Sequence, residues 1–167
     1  MNEENRDLIK KLLHHFHTQK LSNVIPPMGT TPWVTTDASI LQVLKALETK
    51  DHVWVVNDEQ GMGLKGIIEY EDATSALLHP ADTTSRFRNL DDFARSLLTG
   101  ARVSADMMRR DVSTTDRQGT VLDALRVMRD RDVEILGVVD SDGRLTGEIS
   151  LRLLIREFLA LVEALES

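Results

Sequence analysis

Ser39-Ile40-Leu41-Gln42-Val43-Leu44-Lys45-Ala46-Leu47 and Thr120-Val121-Leu122-Asp123-Ala124-Leu125-Arg126-Val127-Met128 are two versions of one pattern, set 81 residues apart along the chain. Self-similarity at a fixed step marks a repeat architecture, so this pair governs how the remainder is read. Ile40, Leu41, Val43, Leu44 and Leu47 recur at helical spacing, and Val121, Leu122, Leu125 and Met128 do the same. Each stretch opens on a hydroxyl with a polar acceptor three positions on, Ser39 with Gln42 and Thr120 with Asp123. That pairing satisfies the free N–H groups of a helix start.

Outward from each helix the pattern repeats again. A β-branched run follows, Val53-Trp54-Val55-Val56 and Ile135-Leu136-Gly137-Val138-Val139, then a polar turn with glycine, Asn57 to Gly63 and Asp140 to Gly143. A second strand comes next, Leu64 to Ile68 and Leu145 to Ile149, so each unit holds a hairpin. A second helix closes the unit, from Tyr70 to Leu78, where His79-Pro80 stops it, and from Leu151 to Leu165. A threonine-rich extended stretch leads into each cap, Pro32 to Thr35 and Val112 to Thr115. The order is β-α-β-β-α twice, an α+β fold.

Two regions lie outside the repeats. Residues 5–20 read as a helix with Leu8, Ile9, Leu12, Leu13 and Phe16 on one face, ending before Pro26-Pro27, and this helix is a candidate oligomer or partner contact. Between the repeats, Leu90, Phe93, Ala94, Leu97 and Leu98 predict a short helix stopped at Gly100. The division is therefore 1–27 for the N-terminal helix and linker, 28–79 for repeat 1, 80–105 for the connector and 106–167 for repeat 2 with its long C-terminal helix.

With 167 residues, 41% hydrophobic, the chain is long enough for one compact domain or two small packed ones, and a large multidomain enzyme is excluded. Its 20 Lys+Arg against 27 Asp+Glu give a formal charge of −7, which repels nucleic acid and anionic lipid. No cysteine is present, so thiolate chemistry is absent and His and carboxylates are the remaining metal ligands. Residues 1–20 have no apolar core of signal length and no stretch reaches the roughly 18 apolar residues of a membrane span. A soluble, cytoplasmic protein is the expectation, with no nucleic-acid and no membrane partner.

Catalytic patterns are missing: there is no Ser-His-Asp order with supporting turns, no HEXXH and no phosphate loop, so the chain reads as a non-enzyme. His14 and His17 share a helix face, but without a neighbouring carboxylate they read as solvated rather than metal-binding. Asp140-Ser141-Asp142-Gly143 resembles the start of a calcium loop but lacks the downstream Glu, and Gly61-Met62-Gly63 joins two strands rather than opening a helix. Trp54 reads as core, while Trp33 stays open as a surface on which a base could stack.

The segments Met107 through Val121, Ala124-Leu125, Met128 and Val138 through Ser150, with the weaker Leu64 through Asp72, resemble a tandem pair of cystathionine-β-synthase (CBS) domains, a Bateman module, over about residues 28–158. The resemblance implies two repeats packed with pseudo-twofold symmetry, clefts that take AMP, ADP, ATP or S-adenosylmethionine, no required cofactor and no chemistry of its own. It also implies a regulatory role toward a protein target, exerted because the ligand favours one arrangement over another.

The family's ligand signature is Gly, two apolar residues, Ser or Thr, two variable residues, then Asp. The hydroxyl contacts phosphate and the carboxylate bridges the ribose hydroxyls, at a helix start that favours anions. Repeat 1 has Gly66, Glu69 in place of the hydroxyl, and Asp72; repeat 2 has Gly147, Ser150, and Leu153 in place of the Asp. Glu69 disfavours a polyphosphate, and Leu153 removes a ribose contact worth roughly 1.5–3 kcal/mol. By the same resemblance Asp72 faces Val112, Ser113 and Thr114, and Ser150 faces Val34, Thr35 and Thr36.

All six lysines lie at or before Lys65 and 13 of 14 arginines at or after Arg86; Arg109, Arg110 and Arg144 fall near the expected second-repeat cleft. The leading expectation is an adenosine-ligand sensor and homodimer. The alternatives are a ligand-free interaction or scaffold module dimerised through its apolar last helix and, third, a divalent-cation sensor.

Overall fold

The computed structural model describes residues 3–78, 90–100 and 103–166. His79-Pro80, Arg86 and the rest of 79–89 lie outside the described residues. The chain runs α1 (Glu3–Thr18), α2 (Leu21–Val24), β1 (Trp33–Thr35), α3 (Ile40–Leu47), β2 (His52–Val56), β3 (Leu64–Glu69), α4 (Ala73–Leu77), α5 (Leu90–Leu98), β4 (Thr114–Asp116), α6 (Val121–Arg131), β5 (Ile135–Val139), β6 (Leu145–Ser150) and α7 (Leu151–Glu166).

Both helix caps form as the sequence indicates. Ser39 Oγ accepts from Gln42 N while Gln42 Oε1 accepts from Ser39 N, and Thr120 with Asp123 repeats the exchange. The strands make two three-stranded sheets, β1-β2-β3 and β4-β5-β6, each with a parallel first pair and an antiparallel hairpin. Each threonine-bearing first strand thus bonds within the sheet of its own repeat. The two hairpins even share an irregularity, at Val55/Val56 and at Val138/Val139.

The turns explain two discarded motifs. Asn57 Oδ1 accepts from Gly63 N at 2.6 Å and Asp58 Oδ1 from Gly61 N, which ties Gly61-Met62-Gly63 into a hairpin loop. Asp140 Oδ1 accepts from Asp142 N and Arg144 N, so its carboxylate closes the β5–β6 turn.

The chain divides into two compact units, residues 29–112 and residues 1–28 with 113–167. In the first, Val43 and Leu47 of α3 pack on Val53, Val55 and Ile68, and Trp54 is 1% exposed, a core residue; Trp33 is half-buried. In the second, Val121, Ala124 and Met128 of α6 meet Leu136, Val138, Ile149, Leu153 and Leu154. The N-terminal helix joins that core: Phe16 lies edge-on to Phe158 of α7, ring centres 5.3 Å apart, and the following Leu21 and Val24 are buried. Of its other apolar residues, Leu8, Ile9 and Leu13 are exposed and Leu12 is half-buried.

Four elements differ from the sequence expectation. The helix expected over 70–78 is a tight turn at Tyr70–Asp72 followed by the short α4, because the Asp72 carboxylate folds back to accept from Glu69 N at 2.9 Å. The extended stretch expected over 112–115 starts at Thr114, since Val112 N is taken by Arg110 O. Short turns at Met28–Thr30 and Ser104–Asp106 had no periodicity to announce them. The connector helix ends as expected, with Gly100 at φ +69°, a conformation suited to glycine.

Candidate functional site

The candidate site of the 29–112 unit begins at Gly66. A β-carbon there would lie 2.7 Å from Met108 Sδ and 2.8 Å from the Arg109 carbonyl oxygen. Only a residue without a side chain lets the segment ahead of β4 lie on β3. That segment is held by Arg109 N donating to Ile67 O at 2.8 Å and Ile67 N to Arg109 O at 3.0 Å. Upstream, Ser104 Oγ donates to Thr35 O, Ser104 N to Ala38 O and Ala105 N to Thr36 O.

With its backbone fixed, Arg109 reaches across the turn after β3. Its Nη1 lies 2.7 Å from Glu69 Oε2, its Nη2 2.6 Å from Glu71 Oε1 and 3.0 Å from Asp72 Oδ1, and its Nε 3.2 Å from Asp72 Oδ1. Three carboxylates against one guanidinium leave two net negative charges. Hydrogen bonds to Glu71 and Asp72 raise the guanidinium further above its already high ordinary range, so it is charged at every accessible pH. The knot faces water: the side chain of Arg109 is 44% exposed and that of Asp72 20%.

This arrangement revises the electrostatics expected from the sequence. Glu69 does not stand as a bare charge, since Arg109 pairs with it. Arg109 pairs with the acids of the first repeat. Glu71 was not singled out by any motif, although three acids within four residues opposite an arginine are a legible charge pattern.

In the unit of 1–28 with 113–167 the corresponding glycine is also a seat. A β-carbon on Gly147 would lie 2.7 Å from Ile25 Cγ2. Ser150 Oγ accepts from Leu153 N at 3.1 Å and so caps α7, a bond that uses a lone pair and leaves the hydroxyl hydrogen to donate. Leu153 is 9% exposed and belongs to the hydrophobic core, so its position faces inward. Arg144 sits in the hairpin turn at the other end of β6 from Ser150, about 20 Å away by strand rise. The Arg144 side chain does not span that distance to touch Ser150 directly.

The remaining candidates divide between the units. Val34 packs on the core of the 29–112 unit, Thr35 Oγ1 donates to Asp37 Oδ1, and Val112 belongs to the same unit as Asp72. Ser113 and Thr114 belong to the other, where Ser113 O accepts from Gly137 N at 3.1 Å. His14 and His15 are exposed and His17 half-buried beside Phe16. Among the described residues no helix is long and apolar enough to cross a membrane, and no His/Asp/Glu group has the form of a metal site.

Two β-α-β-β-α units, each with a motif glycine seating the lead-in to the other repeat's first strand, define a tandem-repeat module whose polar residues gather after the hairpin. The CBS domain family model matches residues 22–79 and 103–160, and the chain belongs to that family, as a tandem CBS pair. No curated protein matches it in sequence. Similar solved structures include CBSX2 in complex with AMP, 19% identical over 85% of this chain and 97% of that one, TM-score 0.64. Another is the CBS domain of the bacterial CNNM/CorC family Mg2+ transporter in complex with ATP, 17% identical, covering 93% and 97%, TM-score 0.64. A third is a CBS domain-containing protein of unknown function from Bacillus anthracis str. Ames Ancestor, 16% identical, covering 88% and 97%, TM-score 0.67. At these identities the likeness is one of fold.

Proposed function

We propose that the chain is a non-catalytic regulatory module that binds an adenosine ligand, AMP, ADP, ATP or S-adenosylmethionine, and acts on a partner protein. The observation that carries this reading is Asp72, at the turn after β3 and six residues beyond Gly66, in a chain whose structural neighbours were solved with AMP and with ATP. Asp72 is proposed to take the ribose hydroxyls, with Glu69, Val112, Ser113 and Thr114 around it, while Ser150, Val34, Thr35 and Arg144 remain proposals for the second motif. A sensor of adenine nucleotides belongs where they vary, so the proposed location is the cytoplasm. The proposed assembly is a homodimer.

The test is calorimetric titration of the full chain with each of the four ligands and with adenosine, repeated on Asp72→Ala. Saturable binding by the wild type that weakens in the variant is expected. Identical binding with and without Asp72 would show that the ribose carboxylate is misassigned.

A second reading, a ligand-free interaction module, is favoured by two observations in the unit carrying repeat 2. The position where the signature needs an Asp is filled by core-facing Leu153, and Ile155, Leu159 and Leu165 of α7 are exposed. A well-folded protein that shows no thermal shift with any of the ligands would support it.

A further inference from the structure

The knot around Arg109 leads to an inference about ligand choice, one that rests on the reading of Asp72 as the ribose carboxylate. A carboxylate offers about two acceptor sites on each oxygen. On Asp72, Oδ1 receives both Nε and Nη2 of Arg109, and Oδ2 receives Glu69 N. A vicinal diol that uses both oxygens can do so only if the guanidinium steps off Oδ1.

Two features make that step available. Arg109 is anchored through its backbone on Ile67, so its side chain can swing without disturbing the strand. The guanidinium is itself 44% exposed and its partner Glu71 73%, and exposed ion pairs are individually weak. The destination depends on the ligand. A bare nucleoside offers the released guanidinium nothing, whereas a 5′-phosphate offers it a forked, charge-assisted partner. Without that transfer, a phosphate would approach three carboxylates with no cation turned toward it.

We propose that Arg109 is the specificity-determining residue of the Asp72 site, a tethered competitor that withholds Asp72 from an unphosphorylated nucleoside and yields it to a nucleotide whose phosphate then receives the guanidinium.

The experiment is calorimetric titration of the full chain with adenosine and with AMP, on wild type, Arg109→Met and Glu71→Gln. In Arg109→Met adenosine binds more tightly and AMP more weakly, so the AMP-to-adenosine affinity ratio falls by about tenfold or more, the scale of one charge-assisted pair. Glu71→Gln, at an exposed position that leaves the fold unburdened, loosens the guanidinium and strengthens AMP binding. It carries the test if Arg109→Met fails to fold. A ratio within twofold of wild type in Arg109→Met, or equal weakening of both ligands, overturns the proposal while leaving the Asp72 reading in place. Absence of binding by either ligand to all three proteins overturns both.

Discussion

Gly66→Ala is expected to be the most damaging single-methyl change in the 29–112 unit. The added carbon would meet Met108 Sδ at 2.7 Å, which a flexible thioether can relieve, but also the Arg109 carbonyl oxygen at 2.8 Å, which it cannot. Either the strand strains or the lead-in segment lifts away. Lifting loses the two Ile67–Arg109 backbone bonds, at about 1 kcal/mol net each. Staying means overpacking at about 1–3 kcal/mol. Both routes converge on a loss of about 2–3 kcal/mol. Gly147→Ala is the internal control, because its close contact is the Ile25 methyl and the nearest backbone atom, Pro26 O, is 3.9 Å away. Its expected loss is about 1 kcal/mol. Urea unfolding gives the two values, and amide hydrogen exchange at Ile67 and Arg109 reports whether the segment has lifted. A Gly66→Ala protein within about 0.5 kcal/mol of wild type, or one no worse than Gly147→Ala, would refute the claim that backbone contact makes this glycine necessary.

Leu153→Asp, which restores the family signature in repeat 2, should destabilise by about 3 kcal/mol or more, because it sets a carboxylate into the core beside Leu136 and Ile149; chemical denaturation measures this. Thr120→Ala should lose about 1 kcal/mol from the α6 cap. The backbone and hydroxyl of Thr120 hold the Asp123 carboxyl below its usual range, so this contribution is present above the ordinary carboxylate pKa and fades as pH falls through the lowered value. Stability curves of wild type and Asp123→Asn should therefore converge in acid, and a constant gap across pH would contradict this. Asp132, which closes α6 at φ +54°, should accept glycine with a gain of about 0.5–1 kcal/mol by thermal unfolding, and a loss would show that its side chain serves the cap.

What was legible in the sequence was what is local. Ser39 with Gln42 and Thr120 with Asp123 announce two helix starts because a cap is made within four residues, and β-branched runs around polar turns announce two hairpins for the same reason. The site was only half legible. Gly66, Glu69 and Asp72 stand in a motif, but Arg109 meets them through a bridge between Ile67 and a residue 42 positions away, and no periodicity encodes that. Arg144 is the converse case: six positions from Ser150 in sequence, it is separated from it by a whole extended strand, because a strand spends its residues on length. Leu153 reads in sequence only as a missing carboxylate. In the fold it is a core side chain, chosen by the inward face of α7.

The composition of the two units also sets an order of events on the ribosome. Residues 29–112 are continuous in the chain, so their sheet and the Arg109 bridge can close as soon as that stretch has emerged. The other unit is split, with α1 and α2 made first and α6 and α7 last. Leu21 N must wait for Gly119 O, and Phe16 for Phe158, with the whole first-finished unit spliced between them. During that interval Phe16, Leu21 and Val24 have no core to enter, so their apolar surface stays uncovered until α6 and α7 have been made.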